Sequence, residues 1–396
     1  MTGFDIVPLI ELADIYDYLR EPVSQTERNK REGKYPYFGA TGQVGWIDDY
    51  RQDGKYVLLG EDGAPFLDPH KTKAYVVEGK CWVNNHAHVL KGKEGVCDDD
   101  YLCFALNWVD YSEAVTGSTR LKLPQGTMNR LLIPKPPIEE QRKIAARLKA
   151  QLAEVETARQ AAQAQVREAE NLRLSIYRDA FQNTVPVTLP PVPSNAPQGW
   201  SWRKLADIAR LESGHTPSRQ RPDWWGGDVS WISLTEIRAL DGQWVESTQL
   251  RTNAAGIANS AARILPRGTV CYSRTASVGF VCIMAAPMAT SQDFANWVCG
   301  DELEPEFLMH ALIRSRKELR EIATGATHKT IYMPQLEAFH LCAPDIAEQR
   351  RIVARLKAQL AETAGIAQAA AAQHHELELL PRAVLAQAFD MQAAAA

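Results

Sequence analysis

The 396-residue chain lacks the features that mark several common classes of protein. No apolar run approaches the roughly 20 residues of a membrane-spanning helix, and acids and tyrosines stand near the start where a secretion signal would be basic and then apolar. We therefore expect a cytoplasmic protein with no membrane partner. The seven cysteines form no C-x-x-C pair, which argues against a zinc ribbon and a disulfide framework. No G-x-x-x-x-G-K-S/T loop is present for nucleotide binding.

An excess of positive charge is also absent. The chain has 44 Lys and Arg against 48 Asp and Glu, and a net charge of −4 taken alone argues weakly against a nucleic-acid partner. Residues 1–135 carry 16 basic and 20 acidic side chains, and residues 199–343 carry 15 of each. Such a chain can bind nucleic acid only if its cations are concentrated on one face of each domain.

The sequence does contain a long internal repeat. The segment from Ile138, IEEQRKIAARLKAQLAE, returns from Ile346, 208 residues later, as IAEQRRIVARLKAQLAE. The same offset relates Phe181 to Phe389, and it relates Thr116-Gly117 to Thr324-Gly325. The chain is therefore a tandem duplication in which the C-terminal part of each copy has changed little and the N-terminal part has diverged.

Each copy has the same plan. A segment rich in Gly, Trp, Tyr, Thr and Val, with short apolar runs between turns, predicts a mixed, strand-containing domain. A Pro-Pro or Ala-Pro step then opens a long run of helix formers. We predict domains at 1–135 and 199–343, long helices at 136–182 and 344–390, an extended Pro-rich linker at 183–198 and a tail at 391–396. Pro381 is expected to kink or break the second helix.

The helical runs carry apolar residues at alternating steps of three and four, the spacing that pairs one helix with another. We therefore predict an α+β fold in which two mixed α/β domains are separated by two long helices forming an antiparallel coiled coil, with a pseudo-two-fold internal repeat. The residues predicted to face the partner helix are Gln141, Leu148, Leu152, Gln349, Leu356 and Leu360.

This plan resembles the DNA-specificity subunit of type I restriction–modification systems over nearly the whole chain. The segments that support this resemblance most strongly are LIPKPPIEEQ, which begins at Leu132, and APDIAEQ, which begins at Ala343. Weaker carriers are YPYFGATG from Tyr35, GHTPS from Gly214 and VSWI from Val229.

The resemblance implies two target-recognition domains, each reading one half of a split, asymmetric sequence in double-stranded DNA. It implies that the long helices set the spacing and dock two modification (methyltransferase) subunits, and it leaves open whether a restriction or translocase subunit joins. The chain itself is expected to be non-catalytic, with S-adenosylmethionine, ATP and Mg confined to partner subunits. In keeping with this, no Asn/Asp-Pro-Pro-aromatic tetrapeptide for adenine methylation is present.

Residues that contact DNA can be proposed only from their chemistry, because amides pair with base edges and cations or hydroxyls with phosphates. Two pairs of segments occupy equivalent places in the two copies. The segment 84–86 of the first copy corresponds to the segment that contains Gln292 in the second. The segment 118–122 corresponds to the segment 327–329. Arg120 and Lys329 are predicted to hold phosphates. The candidate DNA-binding residues are Lys30, Arg31, Gln43, Asn84, Asn85, His86, Ser118, Thr119, Arg120, Lys122, Arg219, Arg221, Arg274, Thr275, Gln292, Thr327, His328 and Lys329.

Three other interpretations remain open at this point. Asp68 followed by Glu78-Gly79-Lys80 loosely fits the carboxylate and lysine pattern of a metal-dependent nuclease, although the second copy has no equivalent. His86 and His88 suggest a metal, but no third ligand stands nearby, so we predict no metal site. A stand-alone DNA-binding scaffold or repressor that dimerises through its helices is harder to exclude.

Overall fold

A computed structural model describes residues 4–325 and 328–393. The chain divides into two compact units, one formed by Met1–Val166 with Ala369–Ala396 and the other by Arg167–Gln368. Each unit therefore contains one mixed α/β domain, the first part of the long helix that follows it, and the last part of the long helix of the other copy. This exchange of helix ends explains why the first unit consists of two separate stretches of sequence, whereas the second unit is one continuous stretch.

The first unit is built on a six-stranded sheet that is antiparallel except for one parallel pair, Tyr35–Gly39 with Ala74–Val83. In spatial order its strands are Ala13–Ile15, Ala87–Gly92, Gln52–Gly60, Ala74–Val83, Tyr35–Gly39 and Gly42–Ile47. A separate antiparallel pair joins Asp5–Pro8 to Leu132–Lys135. The domain is thus closed by pairing its first strand with its last.

One helix, Asp99–Trp108, packs on this sheet. Asp98 begins it by accepting hydrogen bonds from the amides of Asp100 and Tyr101, both at 3.1 Å. Its buried residues join the main core of the unit, where Tyr101 and Leu102 are fully enclosed. The short helical segments of the domain are Leu9–Leu12, Asp17–Leu19, Gln25–Arg28 and Gln125–Met128.

The second unit has three smaller sheets. The central sheet has, in order, the strands Ala209–Ser213, Phe294–Cys299, Val270–Ser273, Val281–Met284 and Trp244–Val245. The other two sheets are Ser201–Lys204 with His340–Ala343 and Val187–Thr188, and Arg251–Thr252 with Trp225–Ile232 and Ala289–Thr290. The helices of the domain are Leu205–Ile208, Pro222–Trp224, Ala254–Ala258, Pro305–Arg314, Arg316–Ile322 and Met333–Glu337.

The two long helices span Ile138–Ala180 and Ile346–Ala393. Along the first, the buried positions recur every seven residues at Leu148, Val155, Ala162, Ala169 and Ile176. In the first unit, early residues of the first helix share a core with late residues of the second, and in the second unit the order is reversed. Within each unit the helices therefore run antiparallel, and the predicted fold class is confirmed.

One detail of the sequence prediction was wrong, and a second was partly wrong. The segment 183–198 is not only a linker, because Val187–Thr188 pairs with His340–Ala343 and Val187 is fully buried. The carbonyl of Pro186 accepts a hydrogen bond from the backbone amide of Cys342 at 2.8 Å. A proline has no backbone N–H to donate, but its carbonyl can still accept. Of the kink or break predicted at Pro381, the break does not occur, because one helix runs without interruption through Ile346–Ala393. The predicted tail at 391–396 lies partly outside the described residues, and the helix extends to Ala393.

All seven cysteines are free thiols, and six of them are buried. Burial raises the pKa of Cys81 to about 11 and that of Cys103 to about 12, so these thiols pack as apolar groups and are not nucleophiles. In the described part of the chain, no helix is both long enough and apolar enough to cross a membrane.

His310 makes the stability of the second unit depend on pH. Its ring is 5% exposed, and its Nδ1 lies 3.2 Å from the Tyr177 hydroxyl on the first long helix. Burial is the main cause that lowers the pKa of His310 to about 4. Because the folded pKa lies below that of the unfolded chain, the stabilisation is complete above about pH 6.5 and is lost as the pH falls towards 4.

We expect the free energy of unfolding of the second unit to fall by about 2 kcal/mol between pH 7 and pH 5. Urea unfolding at a series of pH values measures this loss. His310→Gln should flatten the profile over that interval, since a glutamine can accept from Tyr177 but does not titrate. An unchanged profile in this variant would show that other groups cause the loss.

Candidate functional site

Three loops of the first unit meet at one edge of the six-stranded sheet. They are residues 61–64, 84–86 and 116–123, which we call the first loop cluster. The amide of Glu61 donates to the carbonyl of His86 at 2.8 Å, and the carbonyl of Glu61 accepts from Leu123 at 2.7 Å. The amide of Gly63 donates to Leu121 at 2.9 Å. The structure therefore brings together two groups of predicted residues, Asn84 to His86 and Ser118 to Lys122.

The second unit has a matching arrangement, formed by residues 274–277, 291–293, 324–325 and 328–331, which we call the second loop cluster. The amide of Arg274 donates to Asp293 at 2.9 Å, and its carbonyl accepts from Ile331 at 2.9 Å. The amide of Ala276 donates to Lys329 at 3.0 Å. The predicted residues Arg274, Thr275, Gln292, His328 and Lys329 are assembled here, whereas Thr327 lies outside the described residues.

The two clusters have equivalent backbone hydrogen bonds, and this fixes which residues correspond. Glu61 takes the place of Arg274, Asp62 that of Thr275, and Gly63 that of Ala276. Gly63 has a φ of +76° and Ala276 a φ of +56°, so an alanine adopts the left-handed conformation in the second copy. That conformation costs an alanine about 1 kcal/mol, and such strain is typical of functional loops.

A glycine is required in the third loop of both clusters. A Cβ added to Gly117 would lie 2.5 Å from the carbonyl oxygen of Arg120, and one added to Gly325 would lie 2.3 Å from that of His328. Antiparallel bridges Thr116 to Lys122 and Thr324 to Thr330 close the two loops in the same way. Of the described residues in these turns, Ser118, Thr119 and Arg120 in the first and His328 and Lys329 in the second are exposed to solvent.

Acids neutralise the cations of the first loop cluster. The Nε of Arg120 lies 2.6 Å from Oδ1 of Asp62, and the ammonium of Lys122 lies 3.4 Å from Oε1 of Glu61. Glu61 also forms an ion pair with Arg20. Arg120, predicted to hold a phosphate, is therefore engaged by a carboxylate of its own domain while its side chain stays 60% exposed.

The cations of the second loop cluster have no such partners. Arg274 donates through Nη2 to the carbonyl of Gln292 at 2.8 Å, and its Nε is a buried donor without a hydrogen-bond partner. Among the described residues, no ion pair involves Arg274, His328 or Lys329. Thr216 is hydrogen-bonded to Oε1 of Gln292, which positions that exposed amide.

The remaining DNA-binding candidates lie on other parts of the two domains. Asn84 adjoins the hairpin that carries Gln43, because its backbone amide donates to the carbonyl of Phe38, in the same hairpin, at 3.1 Å. Lys30 is exposed and forms no ion pair with any residue in the described part of the chain. Arg31 donates to Asp48 at 3.0 Å and holds the pKa of that carboxyl below its usual value.

Two arginines of the second domain lie beside tryptophans. Arg219 lies 5.7 Å from the ring centre of Trp225, and Arg221 lies 4.8 Å from that of Trp224. Arg221 also pairs with Asp223, and this hydrogen bond lowers the pKa of that carboxyl. Arg219 forms no ion pair with a carboxylate among the described residues.

One group of potential metal ligands, Asp17, Glu61 and His88, occurs in the described residues. Nδ1 of His88 lies 2.6 Å from Asp17 and Nε2 lies 2.9 Å from the carbonyl of Leu123, so both ring nitrogens face acceptors. Arg20 contacts both carboxylates. The group is therefore arranged as an ion-pair network that supports the first loop cluster, and its ring nitrogens are not directed at a metal.

The residues of the nuclease hypothesis have other partners. Oδ1 of Asp68 accepts from the amide of His70 at 3.0 Å, and the ammonium of Lys80 lies 4.3 Å from the ring centre of Tyr50. Glu78 lines a cleft of about 420 Å³ together with Lys55 and Lys71. This arrangement gives no support to a shared metal at Asp68 and Glu78.

Gln141 and Gln349, predicted to face the partner helix, are instead buried against their own domains. Gln141 accepts from the amide of Asp98 at 3.0 Å and donates to the carbonyls of Val96 and Pro136. Gln349 makes the same three bonds to Glu304, Glu302 and Pro344. Leu148 and Leu356 are fully buried in cores that include the other helix, and Leu152 and Leu360 are partly buried there.

Sequence reasoning missed the acids Glu61 and Asp62 and the hydroxyl of Thr216. The only signal was that Asp62-Gly63 follows a buried strand, which indicates a turn and not a function.

Curated relatives match about a third to two fifths of the chain. A segment is 26% identical over 159 residues to the MjaIX specificity subunit of Methanocaldococcus jannaschii, covering 39% of this chain and 37% of that protein. A second match, to a putative type I restriction enzyme specificity subunit of Haemophilus influenzae, has 34% identity over 137 residues and covers 35% and 34%. The matched segments span little more than a third of these relatives.

Solved structures share the fold over nearly the whole chain. A chain from a structure described as the basis of complex assembly and conformational transition of the type I R-M system has a TM-score of 0.74, with 18% identity, 98% of this chain and 97% of that chain covered. The HsdS subunit from Thermoanaerobacter tengcongensis has a TM-score of 0.54, 18% identity, and coverage of 98% and 96%.

The family comparison covers both copies of the repeat. Residues 4–165 and 197–371 match the type I restriction modification DNA specificity domain. Because these two segments make up most of the chain, the chain belongs to the family of type I restriction–modification DNA specificity domain proteins.

Proposed function

We propose that this chain is the DNA-recognition subunit of a type I restriction–modification complex. Each domain reads one half of a split, asymmetric target through its loop cluster, with Asn84, Asn85 or Gln292 at base edges and hydroxyls and cations at phosphates. The chain is not an enzyme in this proposal. Methyl transfer, ATP hydrolysis and cleavage, with their cofactors S-adenosylmethionine, ATP and Mg, belong to partner subunits.

The observation that carries the proposal is the recurrence of one loop arrangement in both units with different side chains. The backbone hydrogen bonds of the two clusters are equivalent, while Glu61 is exchanged for Arg274 and Asn85 for Gln292. A shared frame with exchanged polar groups is what two domains need in order to read two different sequences.

We further propose that two modification subunits dock on the long helices. Leu172 and Leu380 occupy the same place in the repeat and are 46% and 40% exposed. Two copies of one partner require two copies of one surface, and the repeated helices provide them. A restriction or translocase subunit would join the complex through these partners.

The test is to express the chain with its modification subunit and to sequence the methylated bases of the host genome. We expect a split motif, and a purified complex whose mass corresponds to two modification subunits for each chain. Leu172→Glu should abolish binding of one modification subunit and Leu380→Glu that of the other, with less than about 0.5 kcal/mol of change in stability. Ile264→Glu, at a 48% exposed residue of the second domain, is the matched control and should leave assembly intact.

A stable chain without partners that binds one specific sequence tightly would favour the scaffold or repressor function instead. Methylation at a continuous, unsplit motif would contradict the assignment of one half-site to each domain.

A further inference from the structure

The two loop clusters carry opposite charges at corresponding positions. Glu61 and Asp62 of the first cluster stand where Arg274 and Thr275 stand in the second. The correspondence comes from the backbone, because Leu123 and Ile331 donate to the carbonyls of Glu61 and Arg274 at 2.7 and 2.9 Å. Between the clusters the charge therefore changes by three units at two adjacent residues.

We infer that the two domains hold DNA by different means: the second uses unpaired cations led by Arg274, and the first keeps its cations Arg120 and Lys122 restrained by Asp62 and Glu61. The inference rests on the proposed function and adds to it a division of labour between the domains. Asp62 and Glu61 are positioning residues in this arrangement, since they act through the cations beside them.

Restraint follows from the geometry of the first cluster. A phosphate that approaches Arg120 must replace a carboxylate already 2.6 Å from Nε, and it meets the negative charge of Asp62 at the same time. The gain from a new contact is then offset by the loss of the existing ion pair and by repulsion. Glu61 restrains Lys122 in the same way, and Arg20 holds Glu61 in place.

The second cluster has no restraint of this kind. The Nε of Arg274 is enclosed and without an acceptor, although a guanidinium that loses water normally finds one. Arg274 as a whole is half-buried, so a phosphate can approach the part of its side chain that remains accessible. Thr275 has no charge, and Lys329 and His328 are exposed on the next loop. Asp293, the acid of this cluster, accepts a hydrogen bond from the Ser291 hydroxyl at 3.0 Å and forms no ion pair with Arg274 or Lys329 in the described part of the chain.

Salt dependence of DNA binding separates the two mechanisms, because each phosphate contact by a cation adds about 0.9 to the slope of log affinity against log salt. The full chain assembled with its modification subunit is titrated with a random-sequence duplex from about 50 to about 200 mM salt. We expect Arg274→Gln to lower the slope by about 1 and the affinity by about fivefold. Arg120→Gln, the matched variant in the first cluster, should change the affinity less than about twofold.

Removing the restraint should activate Arg120. Asp62→Asn is expected to raise the slope by about 1 and the non-specific affinity by about fivefold, and adding Arg120→Gln to it should restore the values of the parent chain. The reciprocal Thr275→Asp should lower the slope, which tests the inference even if Asp62→Asn perturbs its loop. Equal effects of Arg120→Gln and Arg274→Gln, or an unchanged slope in both Asp62→Asn and Thr275→Asp, would overturn the inference alone. Absence of any DNA binding by the parent complex would overturn the proposed function as well.

Discussion

Replacing Phe389 with alanine is expected to lower the free energy of unfolding of the first unit by about 3 to 5 kcal/mol, the largest effect of any single truncation in its helices. Phe389 is fully buried near the end of the second long helix. Its ring stacks on Trp108 at 5.4 Å between centres and lies 5.5 Å from that of Tyr101. Its loss would leave a cavity where the helix end meets the first domain.

The internal repeat provides a matched variant for this experiment. Phe181 is the repeat equivalent of Phe389, is also fully buried, and packs at 5.4 Å on Phe307 in the second unit. Phe181→Ala should weaken the second unit by a similar amount. Hydrogen exchange measured on peptides of each unit should show lost protection near Trp108 in the Phe389 variant and near Phe307 in the Phe181 variant.

The control is Leu172→Ala, at a residue 46% exposed on the long helix that ends just before Phe181, which should cost less than about 1 kcal/mol. If Phe389→Ala loosened both units equally, the two units would unfold as one cooperative body. If it loosened neither, the end of the second long helix would not contribute to the first core.

The long helices could be predicted because their signal is local and periodic. Leu148, Val155, Ala162, Ala169 and Ile176 are buried at intervals of seven residues, and this period can be counted in the sequence. The pairing of Val187 with the second domain was not predictable, because an extended Pro-rich segment has the same composition whether or not its few amides find a distant strand.

The loop clusters were only partly predictable, for a different reason. At the constant offset of 208 residues, the segment 118–122 matches the third loop of the second domain, and Asn84 matches Gln292. It does not relate Glu61 to Arg274, because the copies differ in length between this loop and the loop that contains Asn84 or Gln292. Their correspondence appears only in the backbone hydrogen bonds, so the charge reversal could not be found by aligning the copies.

The repeated glutamine shows how the same residue type can mislead. Gln141 and Gln349 stand at the same place in the two repeated helices, and they were predicted to face the partner helix. Both side chains are instead enclosed, at 0% and 2% exposure. Each glutamine connects the start of a long helix to the N-cap residue of a helix in the adjacent domain. It accepts a hydrogen bond from the backbone amide of that residue, which is Asp98 for Gln141 and Glu304 for Gln349.

Gln141→Leu should therefore destabilise the first unit by about 3 kcal/mol, because it leaves the amide of Asp98 and the carbonyls of Val96 and Pro136 enclosed without partners. Gln349→Leu should do the same to the second unit. Gln151→Leu, at an exposed glutamine on the same helix as Gln141, is the matched control and should change stability by less than about 0.5 kcal/mol.

Gln141→Glu separates lost hydrogen bonds from lost volume. The new carboxyl can still accept from Asp98, but it faces two carbonyl oxygens that require a donor, so its folded pKa should lie above the value of about 4.3 in the unfolded chain. A raised folded pKa means that the variant is closest to the parent chain below about pH 4.3 and loses stability as the pH rises, by up to about 1.4 kcal/mol for each unit until the folded pKa is passed. Urea unfolding of variant and parent at the same pH values gives this difference directly. A difference that does not grow with pH would mean that the side chain turns outward to solvent, and that this glutamine does not fix the start of the long helix to its domain.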